Sequence, residues 1–220
     1  DDSGVRLMSD GRPLKIIVES TGESTEEADV LELVADQWAK IGVKLLTKPS
    51  QREVMRNRVY AGNTLMSISS GLENGMPNAD MDPSGLAPTE QVQYQWPKWG
   101  QFNETMGRMG QAIDMAAPKR LAALHADWRR ATSTADRRDI WHEMLAITAD
   151  RVFTIGLISG VLQPVVVRDT LRNVPHKGIY NWDPGAHFGI YGLDSFWFTP
   201  DAAARQGGTR SEYVVPRILV

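Results

Sequence analysis

The sequence predicts an α/β lobe with a mostly parallel sheet flanked by helices, and three observations carry that expectation. Strand-like and helix-like stretches alternate from residue 14 to residue 70 with short links. Strand–helix–strand order with short links implies right-handed crossovers and parallel pairing. The first helical stretch also has start and stop signals at both ends, and its apolar residues recur at helical spacing.

Taken in order, "DGRPL" (10–14) is turn chemistry and "LKIIVES" (14–20) a strand. "STEEADVLELVADQWAKIG" (24–42) reads as a helix. Ser24 or Thr25 is placed to cap its free N–H groups, Glu26 and Glu27 sit at the positive end, and Gly42 closes it. Leu31, Val34, Ala35, Trp38 and Ile41 form one apolar face. "VKLLTKP" (43–49) is a second strand, "SQREVMRNRVYAG" (50–62) a second helix and "TLMSISS" (64–70) a third strand. An irregular polar run follows to about residue 100. Helices are then expected over "ETMGRMGQAIDMA" (104–116), "APKRLAALHADWRRA" (117–131) and "STADRRDIWHEMLAITAD" (133–150), the last burying Ile140, Met144 and Ile147. "VFTIGLIS" (152–159) is continuously apolar, as a strand covered on both faces would be. Beyond residue 164 the chain loses clear periodicity, and no repeats occur.

Composition narrows the function. Over 220 residues, 42% are hydrophobic and 23% charged, which is ordinary for a globular protein. A net charge of −3 with no basic stripe gives no reason to expect nucleic acid or an anionic membrane. No apolar run reaches the ~20 residues that span a bilayer. The opening residues lack the n- and h-regions of a signal peptide, so the chain is expected to be cytosolic or to begin after an upstream part. With no cysteine, disulfides and thiolate metal sites are excluded. The four histidines lack metal-ligand spacing. "DMDPSG" (80–85) starts like a calcium loop, but Gln91 stands where that loop needs its glutamate and Pro83 and Pro88 interrupt it. No metal or cofactor is expected.

The order "DGRPLKIIVES", "ELVADQWAKIGVKLL", a polar loop after the third strand, then "STADRRDIWHEMLAITADRVFTIGLISGVLQPVVVRDTLRNV" resembles a known family. It looks like the C-terminal lobe of the family 5 extracytoplasmic solute-binding proteins, the peptide-, nickel- and oligosaccharide-binding subunits of ABC importers. The resemblance covers roughly residues 10 to 195. It implies a type II periplasmic-binding-protein fold, in which two α/β lobes close on a ligand about a hinge, with no chemistry and no cofactor. It also implies an ABC permease as partner and a periplasmic or extracytoplasmic location. Residues 1–162 are then the ligand-binding lobe, with the crossover near 160–163, and 163–220 a returning segment that completes an N-terminal lobe preceding this stretch.

Open α/β sheets bind ligands beyond the carboxyl ends of their strands. That places the run after the third strand at the cleft, with Glu73, Asn74, Asn78, Asp80 and Asp82 as polar contacts. The competing reading is a turn that satisfies only its own backbone. By resemblance, peptide binders carry an aspartate in this loop for the ligand's amino group, for which Asp80 and Asp82 are candidates. Dipeptide binders carry an arginine after the first strand, where this chain has "ESTGES" (19–24) without a cation. A ligand carboxylate facing Glu19 or Glu23 would be repelled there. Trp96 and Trp99 offer indole faces to sugar C–H groups; the competing reading is that either simply plugs the lobe's surface. Trp38, Trp128 and Trp141 are read as core. The expectation is therefore a receptor for a small polar ligand, an oligosaccharide slightly ahead of an oligopeptide, using Glu19, the loop residues, Trp96 and Trp99. The alternatives are a stand-alone interaction module and, lowest, a hydrolase, for which no nucleophile–base pair is visible.

Overall fold

The computed structural model describes residues 4–69, 71, 78–158, 162–178, 191–199 and 212–216. The chain divides into two compact units, one of residues 1–69 and 82–155, the other of residues 70–81 and 156–220.

The first unit is built on a three-stranded parallel sheet. Strand β1 (Lys15–Ser20) lies between β2 (Lys44–Pro49) and β3 (Met66–Ser67). Lys15 is in register with Lys44, Ser20 with Pro49 and Glu19 with Ser67. Helix α1 (Thr25–Ala39) joins β1 to β2, and α2 (Arg52–Tyr60) joins β2 to β3. The cap on α1 is the expected one: Ser24 Oγ accepts from the Glu27 N–H at 3.1 Å. Leu31 is buried, Val34, Ala35 and Trp38 are half-buried, and Ile41, past the helix end, is exposed. Met55 and Val59, one turn apart on α2, are buried with Val18 of β1.

Helices α3 (Pro97–Glu104), α4 (Ala116–Arg130) and α5 (Thr134–Arg151) complete this unit. The last two pack on each other and bury Leu121, Leu124, Trp128, Trp141 and Met144. Arg120 meets Glu143 through two bonds of 2.7 and 2.8 Å, and the Arg137 guanidinium lies 5.1 Å from the Trp128 ring centre.

Four expectations are corrected. The irregular run ends at Trp96, because Pro97 opens α3 at a position where its missing N–H costs nothing. No helix follows over 104–116: α3 stops at Glu104, and Met106, Gly107 and Gly110 all have positive φ. The methionine spacing mimics a helical face, but Thr105 Oγ1 donates to the Gln101 carbonyl and accepts from Met109 N–H, turning the chain. A β-carbon at Gly110 would stand 2.4 Å from the Lys98 carbonyl, so this turn is fixed by its glycine. Residues 152–158 form no strand. Val152 closes α5 in a left-handed conformation, and Ile155, Leu157 and Ile158 are exposed. The ring of Phe153 meets that of Trp96, with centres 5.3 Å apart. Strand β3 is also shorter than expected, although the Ile68 N–H still reaches the Glu19 carbonyl.

In the second unit, β4 (Leu162–Val166) pairs antiparallel with β7 (Glu212–Pro216), and β5 (Leu171–Arg172) with β6 (Trp197–Phe198).

Candidate functional site

The carboxyl ends of β1 and β2 open onto a shallow depression of about 550 Å³. Its walls are Thr21, Gly22 and Glu23, which follow β1, and Pro49 to Glu53, which run from the end of β2 into α2. Short connections between alternating strands and helices bring these two loops side by side, because β1 and β2 are parallel neighbours. Gly22 has φ +68°, and a β-carbon there would stand 3.1 Å from Pro49 Cβ. The loop therefore needs a glycine both for conformation and for closeness.

Across the depression, Arg52 donates to Glu23. Its Nε lies 3.0 Å from Oε2, and its Nη2 reaches the same oxygen. The pair is half open to solvent, with side chains 57% and 49% exposed. The guanidinium holds its proton more firmly than usual, chiefly through the bond to Glu23. Beside it, Ser50 Oγ is buried and makes no hydrogen bond among the described residues. Helix α2 begins here without a side-chain cap. Close by, the Glu27 carboxyl is pushed up by burial and by Glu26.

A second glutamate–arginine pair lies at the end of β1 itself. Glu19 is 3% exposed and accepts from Arg58 at both oxygens, Nε and Nη2 each at 2.8 Å, with Lys48 Nζ 3.8 Å away. Arg58 holds this carboxyl below the usual range, against the opposing effect of burial. Arg58 also donates to the Asn63 carbonyl, tying α2 to the link before β3.

Of the residues singled out in sequence, Glu19 has both oxygens committed to Arg58, so it serves as a brace between β1 and α2. Asp82 is exposed; its Oδ1 accepts from the Ser84 N–H at 2.9 Å and meets His125 Nε2 at 2.7 Å. That ties the polar run to α4. Asn78 and Asp80, in the other unit, are exposed, and Asn78 Oδ1 accepts from the Asp80 N–H at 2.9 Å. Glu73 and Asn74 lie outside the described residues. Trp96 is 4% exposed, with its ring on Phe153 and its indole N–H donated to Gln93 Oε1 at 2.9 Å. Its ring is packed in the interior of this unit. Trp99, on α3, is half-buried.

Gln93 explains how so polar a loop stays folded. Its carbonyl oxygen accepts from Thr89 N–H, Glu90 N–H and the Trp96 indole, while its amide nitrogen donates to the Ser84 carbonyl and Thr89 Oγ1.

Sequence reasoning passed over Ser50, Gln51 and Arg52. The signal was available: the rule that ligands lie beyond strand carboxyl ends applies to β2 as much as to β3. The charge argument also changes. "ESTGES" has no cation of its own, but α2 supplies Arg58 to Glu19 and Arg52 to Glu23. Each glutamate that the argument counted is thus paired with an arginine.

Among the described residues, no group of three or more His, Asp or Glu side chains is arranged to hold a metal ion, and no helix is long and apolar enough to cross a membrane.

By sequence, neither a family model nor a curated protein matches the chain. By structure it is similar to solute-binding proteins. It is 19% identical to the oligopeptide-binding protein OppA with a TM-score of 0.57, over 70% of this chain and 26% of that one. The periplasmic binding protein MelB from Agrobacterium fabrum C58, solved in complex with stachyose, is 16% identical with a TM-score of 0.52, over 67% and 21%. The chain thus spans only about a quarter of such proteins. The fold is that of a type II periplasmic-binding-protein lobe, a parallel sheet flanked by helices, as the order of segments led us to expect.

Proposed function

We propose that this chain forms one lobe of a two-lobed solute receptor that delivers a small polar ligand to an ABC permease outside the cytoplasm. The observation that carries the reading is the depression at the carboxyl ends of β1 and β2, in a fold shared with OppA and MelB. Such strand ends are where α/β sheets present ligand-binding loops. The lobe supplies one wall, the second lobe the other, and residues 163–220 are the segment that returns to complete that second lobe. The neighbours are binding proteins, and the proposed role has no chemical step.

The ligand class rests on less. The half-buried indole of Trp99 supports an oligosaccharide; Trp96, being interior, does not. OppA is named for oligopeptides and MelB was solved with stachyose, so both classes remain in the proposal.

Calorimetry on the longer protein carrying both lobes, with neutral and acidic oligosaccharides and with oligopeptides, tests the reading. Binding of one class without turnover is expected, whereas failure of every member of both panels overturns it. The isolated lobe should bind the same solute more weakly than about 1 µM, because half the contacts and the closure are missing.

A further inference from the structure

We infer that Arg52 is an anchor for a carboxylate on the solute, and that Glu23 occupies this anchor until the solute displaces it. The inference rests on the reading that this face binds solute, and it adds the chemistry that the face recognises.

The geometry of the resident pair is the first argument. Arg52 directs Nε and Nη2 at one oxygen of Glu23, Oε2. Its fork is therefore only half matched, whereas a carboxylate presenting both oxygens makes two parallel bonds, the stronger arrangement. The chain shows what a matched fork looks like six residues further along α2, where Arg58 engages both oxygens of Glu19. The second argument is accessibility. Both partners are about half exposed and line an open depression, so exchange needs no unfolding. Third, Ser50 belongs to the same wall, and its hydroxyl makes no hydrogen bond among the described residues. Fourth, α1 and α2 both begin at this rim, and their N-terminal ends favour negative charge.

The opposing charges are accounted for. Glu53 in the lining is paired with Arg56 at 3.3 Å, Glu23 is released toward water on exchange, Glu26 sits in the first turn of α1, and burial pushes the Glu27 carboxyl up, toward its neutral form. One carboxylate replaces another, so the selectivity for an acid over its neutral analogue is modest while Glu23 competes. A peptide C-terminus and a uronic acid share this chemistry, and the experiment separates them.

The 220-residue chain is titrated with tri-alanine, tri-alanine amide, tri-galacturonate and its methyl ester. The readouts are the NMR signals of the Arg52 Nε–H and of the backbone amides of residues 21–23 and 50–53. The acid of the right class should move the Arg52 signal saturably, while its neutral analogue leaves that signal in place. Glu23→Gln should tighten binding of that acid about fivefold by removing the competitor. Arg52→Gln should abolish the distinction between acid and neutral forms, and Arg52→Lys should keep only part of it, since the charge survives but the fork does not. Equal responses to acid and neutral forms, or no tightening with Glu23→Gln, overturn the inference. The loop amides would then still report solute at this face, so the receptor reading survives. Silence of every signal with all four probes counts against both.

Discussion

Two glutamate–arginine pairs join the end of β1 to α2, and they differ in nearly every physical respect. Glu19 is inside, with both oxygens matched by Arg58 and Lys48 nearby. Four residues later, Glu23 is at the rim and offers one oxygen to Arg52. A buried charge that lost its partner would stand uncompensated in a poorly polarisable interior, so the inner pair is bound to the integrity of the sheet. The outer pair gains little from its contact and loses little on parting. The same two residue types thus hold the frame in one place and leave a cation available in the other. Burial and the number of oxygens engaged make the difference.

The largest expected effect is on the inner pair. Glu19→Gln keeps the shape but loses the charge-assisted bonds, and should lower the unfolding free energy by about 2 kcal/mol in urea denaturation. Arg58→Gln should destabilise further, because it leaves the carboxylate buried without its main partner. The pH dependence follows from the same pair. The folded carboxyl of Glu19 lies below its ordinary value of 4.5, so its stabilisation is complete above that value and is lost as pH falls through the lower folded value. Glu19→Gln should flatten this acid limb; an unchanged limb would place the acid sensitivity elsewhere. Next in size is Gly22→Ala, which forces a side chain into a left-handed backbone against Pro49 and should cost about 1 kcal/mol. It should also shift the amide signals of residues 21–23 while sparing those of α4 and α5. Smallest is Glu23→Gln, for which urea denaturation should show no resolvable change; a loss matching that of Glu19→Gln would erase the distinction between the two pairs.

Local signals in the sequence were legible where they are local in the structure. The Ser24 cap, the acidic first turn of α1 and the alternation of strands with helices lie within a few residues of what they determine. The helix expected over 104–116 fails because the chain turns at Met106, Gly107 and Gly110, all at positive φ. The run from Val152 to Ile158 misled because apolar composition suggests burial without supplying a partner strand. Trp96 reads as a sugar platform beside polar residues, but its ring is buried edge-to-face with Phe153 and its indole N–H is donated to Gln93. The site was the hardest part. Glu23 and Arg52 are 29 residues apart, and Glu19 and Arg58 are 39 apart, so only the parallel register of β1 and β2 reveals that the acidic loop has its own cations.

The carboxamide of Gln93 carries a liability of its own. Five hydrogen bonds depend on one end of it being an acceptor and the other a donor. Hydrolysis to the acid, the ordinary ageing of an amide, would set oxygen against the Ser84 carbonyl at a spacing now 2.6 Å. The loop would then be pushed apart from its own centre, with no residue on its outer surface altered.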